Sequence, residues 1–217
     1  MLILGPILDF VMRDFSLNKA KTGLLSMTYM AGSIPGMILS GRKLTLDAIR
    51  LSCFLLAFAL GLMSFALSVW FFALGFFTAG LAAGFMFSGM TVLATCAIPE
   101  EEKGACLNSL YAWLAMGVVL GPIYSSLWQG FELWRPVPAS YGIVFLIAAL
   151  LYPTQECYQV PPRHEGKLPT NPQFWLICAA LFFYVGAESV ISIWVVKFLL
   201  DQFQLTWSNF VLVGLWG

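Results

Sequence analysis

Tyr184, Glu188 and Ser192 recur at every fourth position in an otherwise apolar stretch, so on a helix they stack along one face. The chemistry open to this trio is narrow. A carboxylate set within a run of Leu, Phe, Val, Ile and Trp is costly to place, which marks Glu188 as a functional candidate. It could take up a proton on one side of a membrane and release it on the other, or bind a polar ligand. The hydroxyls of Tyr184 and Ser192 could bond to such a ligand or to the charged carboxylate. The competing reading is a protonated Glu188 held by a hydrogen bond to a neighbouring helix.

Other chemistry is not indicated. His164 is the only histidine, and His164-Glu165 lacks the second histidine of a zinc-protease motif. Neither a Gly-rich phosphate loop nor a nucleophile elbow occurs. The reading is therefore no enzyme, no cofactor and no metal. The five cysteines, Cys53, Cys96, Cys106, Cys157 and Cys178, are odd in number and lie in or beside apolar runs. That argues against a disulfide framework.

The elements that must carry these residues are membrane helices. Of 217 residues, 60% are hydrophobic and only 10% charged, against about 25% charged in soluble domains. The net charge is zero and no basic run occurs, which excludes nucleic acid as a partner and leaves the lipid bilayer. Apolar runs predict helices over residues 20–41, 46–69, 70–98, 105–128, 136–152 and 172–200, most of them long enough to span a bilayer. Residues 1–12 read as the last third of a first helix. Residues 153–171 hold four prolines and mixed charges, the composition of a linker. Thr22, Ser26, Tyr29, Ser33, Gly36 and Ser40 fall at helical spacing and form one small, polar face. Gly80, Gly84, Ser88, Thr91 and Thr95 form another. Such faces either pack helix on helix or line an aqueous path.

An internal repeat organises these spans. Residues 10–17 align with residues 198–205 at an offset of 188, with three of eight positions identical. Both segments leave one span before the next. The offset predicts two parallel halves, with about 16 residues missing before Met1 and further spans beyond Gly217. Two six-span halves around a midplane site form a transporter architecture. The expected domains are a six-helix bundle over 1–152 with a truncated first helix, a cytoplasmic linker over 153–171, and the start of a second bundle over 172–217.

Three stretches carry a family resemblance. The first runs from Gly5-Pro6 to Leu17, then through Gly23-Leu24-Leu25 and Gly32-Ser33-Ile34-Pro35-Gly36 to Gly41-Arg42. The second is Leu107-Asn108 followed by Gly117-Val118-Val119-Leu120-Gly121-Pro122. The third is Tyr184-Val185-Gly186-Ala187-Glu188 with Trp194. On these residues the chain resembles the major facilitator superfamily, and is most similar to its fucose permease-like members. The resemblance implies an all-α membrane bundle in the bacterial cytoplasmic membrane. It also implies a secondary active transporter moving a sugar or other small metabolite with a proton as coupling ion. Asn108, Tyr111 and Tyr29 would complete the cavity wall opposite Glu188, and Arg42, Asp47 and Arg50 would form a cytoplasmic latch.

The chain departs from the pattern in places. Thr45 and Ala48 stand where the signature between the second and third helices has Asp and Gly. Fucose-type sugar transporters often carry Gln where Glu188 stands and use an acidic residue in the fourth helix, and none occurs between Val69 and Ile98. The fifth-helix Gly-Pro signature is often tied to antiporters and also occurs in symporter-like relatives. Two alternatives stand beside transport: a non-functional fragment of such a transporter, and a seven-helix receptor or retinal protein with Lys197 as its lysine.

Overall fold

The computed structural model describes residues 4–41, 44–96, 98–99, 101–129, 131, 133–152 and 171–203, without certain side chains at the start of α1, at the end of α4, and in α5 and α7. Among the described residues seven α-helices follow one another: α1 (Leu4–Asp14), α2 (Lys19–Ser40), α3 (Leu46–Ser64), α4 (Val69–Cys96), α5 (Lys103–Gln129), α6 (Pro136–Leu151) and α7 (Pro172–Phe203). No strand occurs among the described residues. Among the described residues three stretches are long and apolar enough to cross a membrane: Leu46–Ser64, Val69–Thr95 and Lys103–Ser125. The small, polar face of α2 makes that 22-residue helix less apolar than these.

Local chemistry sets the helix ends. α1 closes in a Schellman motif: Leu17 N–H donates to Met12 O at 2.9 Å and Ser16 N–H to Arg13 O at 3.2 Å. Ser16 takes the left-handed conformation there, with φ of 50°, where a Cβ is penalised. Ser16→Gly is therefore expected to stabilise the fold by about 0.5–1 kcal/mol, read as a raised unfolding midpoint in detergent. A lowered midpoint would contradict this account of the turn. Asn18 caps α2, its side chain accepting from Lys21 N–H at 2.8 Å. Thr45 caps α3 through Ala48 N–H at 3.1 Å, and Asp47 places negative charge in that first turn.

The expected helix over 46–69 is corrected: α3 stops at Ser64 and α4 starts at Val69. The cause lies some 70 residues away along the chain. Arg135 donates through Nη1 to the carbonyls of Ser64 at 3.2 Å and Ala66 at 3.0 Å. Ser64 Oγ donates back to Arg135 O at 2.8 Å. The carbonyls left over at a helix end are thereby satisfied, and the chain can turn. Trp134 Nε1 donates to Asp14 Oδ2 at 2.7 Å, and Arg135 lies 3.7 Å from the same oxygen. One Trp-Arg pair thus joins the ends of α1, α3 and α6, over an edge-on cluster of Phe15, Phe72 and Trp134.

Arg135→Gln is expected to cost about 2 kcal/mol, because it strips charged donors from two carbonyls and leaves Asp14 with less compensation. Arg13→Gln removes the i,i+4 pair with Asp9, 3.3 Å long on a largely exposed side chain, and a contact over the Phe10 ring at 4.7 Å, and should cost about 1 kcal/mol or less. Equal shifts in unfolding midpoint for the two variants would remove the network's role.

The core is built by α1, α2, α3, α4 and α6, with Ile7, Val11, Leu25, Leu60, Phe72 and Val137 all buried. Lipid is as apolar as these side chains, so close packing and not transfer from water holds such helices together. The tightest seam is between α2 and α4. Gly32 and Gly36 meet the backbone of Phe77 and Leu81, while Gly80 and Gly84 meet the backbone of Tyr29 and Ser33. The two small faces are thus packed on each other. The serine and threonine hydroxyls bond within their own helices: Ser26 on Thr22 O, Ser33 on Met30 O, Ser40 on Met37 O and Thr91 on Phe87 O. Packing therefore accounts for the glycines and serines of the α2 stripe, while the Tyr29 hydroxyl has no such bond among the described residues. On the opposite side Leu24, Met27, Ile34 and Ile38 are exposed, as residues facing lipid would be.

Candidate functional site

α1 touches both α5 and α7, the two helices that carry most of the candidate residues. Trp194 seats α7: its ring lies 3.9 Å from a Cβ built at Gly23 and packs at the margin of the core. A larger residue at position 23 would push this ring away. Glu188 falls near the midpoint of α7, a helix that runs unbroken from Pro172 to Phe203. The side chains of Glu188 and Ser192 lie outside the described residues. Tyr184, one turn earlier, is 64% exposed.

On α5, Asn108 is exposed and Tyr111 is 44% exposed. Their spacing of three puts them on neighbouring positions of one helix face. Further along the same helix, Ser125 is buried and donates to Gly121 O at 2.9 Å. Tyr29 lies elsewhere. Its ring meets Phe76 at 5.3 Å between centroids, inside the bundle. On α5 and α7, Asn108, Tyr111 and Tyr184 are thus exposed, while Tyr29 is partly buried against Phe76.

Of the residues expected to form the latch, two are described. Arg42 lies outside the described residues. Asp47 is exposed in the first turn of α3. Arg50 donates through Nε to Ala149 O at 3.0 Å, in the last turn of α6. A cation on helix-end carbonyls is well placed against the helix dipole. Sequence reasoning did not find the Asp14, Trp134 and Arg135 assembly at the other end. The one signal for it was a Trp-Arg pair directly before Pro136.

The family model described as Major Facilitator Superfamily matches residues 1–217. The chain belongs to the major facilitator superfamily. No curated protein and no solved structure gives a significant match. Membership makes the chain an integral membrane protein of a transporter family whose members move small molecules. It agrees with the all-helical fold and with the three apolar stretches of membrane-spanning length. The receptor alternative has no comparable support.

Proposed function

We propose that the protein is a secondary active transporter of the bacterial cytoplasmic membrane, of the fucose permease-like kind, and carries a small metabolite together with a proton. The observation behind this reading is the position of Glu188, midway along the unbroken helix α7 of a chain in a transporter family. An ionisable group at that depth is expensive unless it works. In this reading Glu188 carries the proton. Tyr184 and Ser192 share its helix face, and Asn108 and Tyr111 on α5 contribute polar groups from the first bundle. Tyr29, stacked on Phe76, is left out of that wall. Residues 1–152 form the first bundle, 153–171 the cytoplasmic linker and 172–217 the start of the second bundle. Arg42, Asp47 and Arg50 form the latch on the cytoplasmic side. The test is uptake by Glu188→Gln in proteoliposomes with an imposed proton gradient. The variant should equilibrate substrate without concentrating it.

A further inference from the structure

Within the first bundle lies a partly open cavity of about 200 Å³, lined by neither α5 nor α7. Each of the other helices contributes to its wall: Ile7 from α1, Tyr29 from α2, Met63 from α3, Phe76 and Met86 from α4, and Phe145 from α6. Every lining residue is apolar except Tyr29. The geometry points to a binding site here for a single-ring aromatic solute.

The chemistry of the wall excludes other occupants. No charged side chain lines the cavity, so an ion would lose its hydration with nothing in return. A water molecule needs two to four polar partners, and a cavity lined by Leu, Ile and Phe stays dry. A space of about 150 Å³ of that kind takes benzene or xenon, and this one is larger. Its wall also suits a ring more than a plain alkyl chain. Tyr29, Phe76 and Phe145 offer ring edges and faces, and Met63 and Met86 offer polarizable sulfurs that favour aromatic neighbours. Among the described residues the hydroxyl of Tyr29 meets no hydrogen-bond partner, so a ring bearing one hydroxyl, as in phenol, would gain a bond as well.

The site is distinct from the one proposed on α7, since neither α5 nor α7 lines it. An occupant would fill space between five helices and so stabilise the bundle in proportion to its affinity.

Photolabelling tests this on the full chain in lipid bilayers. 3-Phenyldiazirine, a benzene-sized probe that inserts on illumination, would be mapped by mass spectrometry with and without excess benzene. Lipid-facing residues such as Leu24 and Phe58, 64% and 61% exposed, report simple partitioning into the bilayer. The expected result is labelling at Tyr29, Met63 or Met86 that saturates and is lost with benzene, while labelling at Leu24 and Phe58 persists. Ala83→Leu, which fills the cavity from α4, should lose the same labels. Unlabelled lining residues, or labels that benzene leaves unchanged, would overturn the site whether or not that variant folds.

Discussion

Gly32→Ala and Gly80→Ala are each expected to cost about 3 kcal/mol or more, while Gly61→Ala leaves the bundle as stable as before. The contrast follows from what an added methyl meets. At Gly32 it runs into the Phe77 carbonyl, with Leu81 N at 3.0 Å; at Gly80 it runs into the Tyr29 carbonyl, with Tyr29 Cα at 3.1 Å. These obstacles are backbone, so the helices themselves must separate. Separation forfeits the dispersion contacts and weak Cα–H···O bonds that a glycine seam permits, and lipid returns little in exchange. At Gly61 nothing lies within 4 Å of the added atom, and alanine is the better helix former. Gly89→Ala should fall between them, because its nearest neighbour is the flexible Leu44 side chain, Cδ1 at 2.8 Å. The double variant Gly32→Ala/Gly80→Ala should cost less than the sum, since one separation of α2 from α4 relieves both clashes. Unfolding midpoints in detergent give the ranking. An unchanged midpoint for Gly32→Ala would mean that α2 and α4 are not in contact at this depth.

That seam was partly legible in the sequence. The spacing of Gly32, Gly36, Gly80 and Gly84 marks two small faces, because helical periodicity is local. Which surface they meet is not local. Spacing cannot tell whether Ser26 or Ser33 bonds a neighbour, a ligand or its own helix, and the structure has them bond their own. The end of α3 at Ser64 was illegible for the same reason: the Arg135 guanidinium that satisfies its carbonyls comes from the start of α6. Tyr29 shows the limit most plainly. It shares a sequence stripe with Ser33 and Gly36, yet its long ring reaches Phe76 and the cavity wall. The cavity needs five helices at once, so no pattern in one segment could reveal it. By contrast, the family was legible, because residues such as Gly121-Pro122 and Gly32-Ser33-Ile34-Pro35-Gly36 keep their order whatever they pack against.

Under the proposed function, Glu188→Gln abolishes concentration of substrate and spares exchange. Glutamine has nearly the volume of glutamic acid and keeps an acceptor oxygen, so a cavity bounded by Tyr184 and Ser192 would retain its shape and most of its hydrogen bonds. It cannot carry a proton. The size of the loss follows from the driving force. Each pH unit across the membrane supplies about 1.4 kcal/mol, and each 100 mV adds about 2.3 kcal/mol per charge. Together they allow one coupled proton to concentrate a neutral solute roughly several-hundredfold, since every 1.4 kcal/mol is a factor of ten. The variant should reach only equality inside and out. The probe is whichever radiolabelled sugar or other small metabolite the unaltered protein concentrates in proteoliposomes. Counterflow, in which unlabelled substrate inside drives labelled substrate in without net work, should continue near its original rate. A Glu188 that serves only as a helix-to-helix hydrogen bond predicts that both activities survive. Glutamine would replace it with small effects on exchange and accumulation alike. Undiminished accumulation by Glu188→Gln would therefore remove the proton role, and loss of both activities with an unchanged unfolding midpoint would move Glu188 from coupling to substrate binding.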